Sequence, residues 1–108
     1  MDFPADARSD DITLQIVICS ACGFQGIAVY EESRRGALDA EAVDHRGYRV
    51  EAGRLRTLIA LMGQCPRPRD GDCQCAAHAA LGRTQGGYWR GLDEVETLGS
   101  FPMRLATP

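Results

Sequence analysis

Two groups of soft metal donors dominate the chemistry available to this 108-residue chain. Cys19-Ser20-Ala21-Cys22-Gly23 brings two thiols within one turn, and Cys65, Cys73, Cys75 and His78 follow later, inside fourteen positions. Thiolates and imidazoles bind zinc at about 2.0–2.3 Å in a tetrahedron, and a cluster of them is hard to explain by packing alone. Two cysteines separated by two residues can turn both sulfurs toward one ion, and a glycine after them can take the positive φ that reverses the chain. The spacing therefore predicts metal ligands at Cys19 and Cys22, with Cys65, Cys73, Cys75 and His78 as the candidates that complete the site. Zinc is the expected ion, a Cys-ligated iron centre the alternative, and six candidates leave room for a second ion.

The later group is irregular. Cys73 and Cys75 can share an ion if the backbone bends at Gln74, and Cys75 and His78, three apart, would share a face on the first turn of a helix. Cys65, followed by Pro66, is a further candidate. Packing offers a competing use for each: Cys65 as a small buried apolar residue, His78 as a polar residue on a helix surface. His45 has no spaced partner, and a surface polar role is expected for it.

Catalytic patterns are missing. There is no His-Glu-x-x-His helix and no deaminase pattern of His-x-Glu with Pro-Cys-x-x-Cys, and the scattered glycines form neither a phosphate loop nor a dinucleotide fingerprint. A thiolate-rich quartet is closed, whereas catalytic zinc keeps a position open for water, so no catalytic residues are expected.

The elements that must position these donors are legible in part. Residues 1–11 are acidic and aperiodic and read as a flexible tail, leaving residues 12–108 as a single metal-binding domain. Residues 12–18 alternate and are rich in β-branched side chains, and residues 24–30 return as a second strand, so the Cys-containing turn is the tip of a hairpin. Residues 39–44 suggest a short helical turn, broken by Arg46-Gly47, and residues 48–50 a third short strand. Leu55, Leu58, Ile59 and Met62 recur at helical steps, predicting a main helix over residues 51–62 closed by Gly63. Pro66 and Pro68 keep the next stretch irregular, residues 76–81 favour a short helix, and residues 93–98 another helical turn. Pro102 begins a tail whose Met103 and Leu105 would lie along the core. Tyr88-Trp89-Arg90 has the composition of an interface anchor, although core packing is the expected use of a single tryptophan. The fold class expected is α+β: a small metal-stabilised domain in which a hairpin carrying a Cys knuckle packs on one main helix and short helical segments.

Residues 14–30, with Cys19, Cys22 and Gly23 at their centre, resemble the knuckle of zinc-ribbon, rubredoxin-like and treble-clef metal-binding domains. That resemblance implies that the hairpin supplies half of a four-ligand site. The later segment departs from the ribbon pattern, which would repeat a two-cysteine knuckle, and the Cys75/His78 spacing is similar to a treble clef instead.

Composition narrows the partners. Charged residues make up 25% of the chain and hydrophobic residues 44%, as in ordinary globular proteins. All twelve basic residues are arginine, with lysine and asparagine both absent; a GC-rich coding bias of the kind seen in bacteria explains this better than phosphate binding does. Residues 1–11 carry −3, residues 12–30 none, residues 31–69 +2 and residues 70–108 −2. That balance disfavours nucleic acid as a partner, because binding by counterion release needs a larger basic excess. Neither a signal peptide nor a membrane span is visible, so a cytoplasmic location is expected, where clustered cysteines bind metal more often than they pair as disulfides. The function expected is a structural zinc protein that binds another protein. Its alternatives are a redox or electron-transfer protein, using iron or a redox-active Cys19/Cys22 pair, and a nucleic-acid-binding zinc module using the Arg-rich residues 31–69.

Overall fold

The computed structural model describes residues 1–33, 42–93, 95 and 97–102. It is an α+β arrangement of seven strands and two helices among those residues: β1 (Asp2–Phe3), β2 (Asp11–Ile18), β3 (Gln25–Ser33), β4 (Ala42–Val50), α1 (Ala52–Gly63), α2 (Ala76–Leu81), β5 (Thr84–Gln85), β6 (Tyr88–Trp89) and β7 (Thr97–Pro102). One antiparallel sheet has the order β1-β2-β3-β4-β7, and β5 and β6 form a separate ribbon.

Strand β2 forms because its β-branched residues fit a pleated, half-buried surface. Ile12 and Leu14 point into the core and are essentially inaccessible, while Asp11 and Gln15 face solvent. Strand β3 pairs with it from Ile18 opposite Gln25 to Asp11 opposite Glu32. Gly26 has a steric reason: a Cβ there would sit 2.1 Å from the Tyr48 carbonyl oxygen of β4. The core comprises Phe3, Ile12, Leu14, Ile27, Val29, Val50, Leu55, Leu58, Leu81 and Trp89, so sheet and helices bury one common cluster.

Helix α1 begins at Glu51, whose carboxylate accepts hydrogen bonds from the amides of Gly53 at 2.9 Å and Arg54 at 3.1 Å. It ends at a Gln64 cap, one residue beyond the expected glycine. Its buried stripe is Leu55 and Leu58, flanked by Leu61 and Met62, and Ile59 is 39% exposed on another face.

Several expectations change. Residues 1–11 are not a detached tail: Asp2 pairs with Thr13, Phe3 with Ile12, and the Phe3 ring is 5% exposed. A two-residue strand has no periodicity to reveal it, and it exists because β2 offers an edge. Residues 42–44 belong to β4, and residues 39–41 of the expected helical turn lie outside the described residues. Gly47 does not break an element; it lies within β4, where a Cβ would meet the Phe101 ring at 2.4 Å. Thr97 and Leu98 start β7 instead of continuing a helical turn, and Pro102 closes that strand. Met103 and Leu105 lie outside the described residues. His45 is not a surface residue: its side chain is 7% exposed, packed edge-on against Tyr30 and 3.4 Å from a Glu32 carboxylate oxygen. Trp89 enters the core, with its indole N–H donating to the Leu81 carbonyl at 2.8 Å.

Candidate metal centre

The later donors occupy the connection between α1 and α2. Cys65 follows the α1 cap, its amide donating to the Met62 carbonyl at 3.1 Å, and is buried. Successive turns then fold the chain back: the Asp70 amide bonds the Arg67 carbonyl and the Cys73 amide bonds the Asp70 carbonyl, each at 3.1 Å. The Asp70 side chain braces this turn by accepting from the Asp72 amide at 2.9 Å, a habit of aspartate in turns. Cys75 is the N-cap of α2, and its Sγ accepts from the His78 amide at 3.4 Å. His78 is on the first turn of that helix and is 5% exposed.

These turns bring Cys65, Cys73, Cys75 and His78 together, with one donor atom from each inside a group no wider than 4.8 Å. Cys65 Sγ and Cys73 Sγ are 3.8 Å apart; His78 Nδ1 is 3.1 Å from Cys65 Sγ and 3.4 Å from Cys75 Sγ. A tetrahedral site with bonds of about 2.3 Å to sulfur and 2.0–2.1 Å to nitrogen has edges of roughly 3.8 Å between sulfurs and 3.6 Å between sulfur and nitrogen. The four side chains can therefore hold a metal ion with small adjustments.

The imidazole is oriented from outside the group. His78 Nε2 lies 2.9 Å from the Asp2 carbonyl oxygen, which can only accept, so Nε2 carries the proton and Nδ1 presents its lone pair to the sulfurs. A metal-ligating histidine needs this second bond to fix its ring and tautomer. The Phe3 ring stands edge-on to His78, centroids 5.6 Å apart, and the Asp2 amide donates to the Pro68 carbonyl at 2.7 Å. Strand β1 is thus the clip between sheet and ligand loop.

Electrostatics divide the thiols. The His78 amide draws the Cys75 thiol down to about 6, toward its thiolate form. Burial acts in the opposite sense on Cys65 and, with the neighbouring thiols of Cys75 and Cys73, pushes it up to about 11. A cation at the centre of the group would relieve that penalty by supplying the missing positive charge.

Cys19 and Cys22 are elsewhere. They sit on the turn between β2 and β3 and are not members of the four-residue group. Because Asp2 pairs with Thr13, six residues before Cys19, a rise of about 3.3 Å per residue places the turn roughly 20 Å along the strand from β1. The expected quartet, in which Cys19 and Cys22 join two of the later donors, is not the one the fold gathers. The later four make a full donor set on their own, and the rigid length of β2 separates the two groups.

The Asp2 carbonyl was invisible to sequence reading. A backbone acceptor has no residue signature, and only the pairing of β1 with β2 places it. No protein-family model, curated protein or solved structure matches the chain. Among the described residues, no helix is long and apolar enough to cross a membrane.

Proposed function

We propose that this chain is a structural zinc protein in which Cys65, Cys73, Cys75 and His78 hold one ion, and that the domain so stabilised is a protein-interaction module. The observation that carries the zinc reading is the compact Cys₃His donor set with its imidazole already oriented. Four protein donors close a tetrahedron and leave no position for water, which suits a structural ion and not a hydrolytic one. The mixed sulfur and nitrogen set also favours zinc over a four-thiolate iron centre. The ion would tie α1, α2 and β1 together.

An interaction role is supported by a groove between the helices that the donors themselves do not line. A shallow, mostly apolar groove of about 220 Å³ runs between the helices past Leu58, Leu61, Leu81 and Val95, rimmed by Arg54. An apolar patch with a polar edge is the composition of a protein-binding surface.

The test is elemental analysis of the C19S/C22S variant, purified reduced from its native cell, because that variant isolates the later donors. About one zinc per chain is expected, with loss of the folded state on chelation. Reduced protein without zinc, or with iron in its place, contradicts the reading. For the partner, immobilised zinc-loaded protein should retain a specific protein that chelation releases; retention indifferent to chelation contradicts the module.

A further inference from the structure

The hairpin tip is built as a bidentate thiolate clamp that one chain leaves half complete. Cys19 Sγ accepts a hydrogen bond from the Cys22 amide at 3.4 Å. The turn is held by two backbone bonds, Cys19 amide to Phe24 carbonyl at 2.8 Å and Gly23 amide to Cys19 carbonyl at 2.9 Å. Gly23 takes φ 75°, which a side chain would strain, and nothing lies within 4 Å of where its Cβ would be. Amides aimed at a sulfur favour its thiolate form, and two thiolates on one turn share an ion readily. No third donor of the same chain joins them among the described residues.

A second copy would supply two more thiolates. A two-fold axis through the ion turns two thiolates into four, the closed tetrahedral complement of structural zinc. Residues 12–30 carry no charged side chain, and the Arg49 guanidinium beside the tip is held over the Phe24 ring, 5.4 Å from its centroid. Ile18, beside the clamp, is 62% exposed and Cys22 is also exposed, so an apolar contact accompanies the ligands. We infer that Cys19 and Cys22 form an inter-chain zinc site, shared with the same two residues of a second copy, that dimerises the protein through its hairpin tips. Zinc binding there converts four thiols to thiolates and releases their protons, and the Cys22 amide of each chain offsets part of the resulting negative charge.

The experiment is light scattering combined with zinc analysis on the reduced full chain, with and without added zinc. The parent protein is expected to be a dimer with about 1.5 zinc per chain, one in the later cluster and half in the shared site; C19S/C22S should be a monomer with about one. This outcome is separable from the reading of the later cluster: a dimer with about 0.5 zinc per chain sustains the inference while removing that reading. A parent chain that stays monomeric in excess zinc overturns the inference. So does a C19S/C22S variant that dimerises like the parent, or a Cys19–Cys22 disulfide that persists under the same reducing conditions.

Discussion

His78 Nε2 donates to the Asp2 carbonyl oxygen across 2.9 Å, joining residues 76 positions apart. That bond couples the edge strand of the sheet to the ligand loop and leaves the Nδ1 lone pair facing the sulfurs of Cys65 and Cys75. Removing residues 1–3 deletes the acceptor without touching a ligand. Outer partners of this kind are worth roughly 10–100-fold in metal affinity, and competition with a chromophoric chelator should show a loss of that size. Unchanged affinity would mean that the ring is held by other contacts.

Phe3 tests the same clip through packing. Its ring is buried against His78 and Trp89, with the Trp89 centroid at 5.5 Å. Phe3→Ala should cost about 3 kcal/mol in urea unfolding of the zinc-loaded protein, at the lower end for a buried aromatic because the strand lies at the sheet edge. A cost below about 0.5 kcal/mol would return β1 to the status of a tail.

The glycines give a paired prediction. A Cβ at Gly91 would stand 1.9 Å from the Leu81 carbonyl oxygen, a backbone atom that cannot swing away, whereas at Gly63, inside α1, nothing lies within 4 Å. Gly91→Ala should therefore destabilise by about 1–3 kcal/mol, while Gly63→Ala should stabilise by roughly 0.5–1 kcal/mol. Thermal unfolding of both variants against the parent gives the two signs.

Asp6 sets an acid limb. Burial pushes its carboxyl up, but the amides of Trp89, Ser9 and Arg8, at 2.7, 2.6 and 2.8 Å, outweigh burial and hold it below 3.8. A depressed folded-state value contributes stability above the unfolded value, and that contribution is lost as pH falls through the folded one. Asp6→Asn should be less stable than the parent at neutral pH by about 1 kcal/mol, and the gap should close as pH falls below about 4. A gap independent of pH would contradict the assignment.

How much of this was legible in the sequence follows from which contacts are local. The density of soft ligands in residues 65–78 is a local property, and so is the period-two pattern of residues 12–18. The separation of Cys19 and Cys22 from the later donors is not: it depends on β1 meeting β2 at Thr13, a pairing made by backbone groups. Strand β7 was hidden for a similar reason. Gly99, with φ 147°, lies beside a register shift between Arg49 and Val50, and Pro102 ends the strand, so glycine and proline there read as breakers. Gly86-Gly87, with φ of 61° and 85°, did carry a usable sign of the β5–β6 hairpin, since two positive φ values are what its tight turn requires.

The most direct measurement is zinc-edge X-ray absorption on the C19S/C22S variant, in which the later cluster stands alone. The predicted result is a single site of three sulfurs at about 2.3 Å and one imidazole nitrogen at about 2.0–2.1 Å, with His78→Ala losing the nitrogen contribution. Protein that binds no zinc when reduced, or zinc with fewer than three sulfurs and water in their place, would contradict the account.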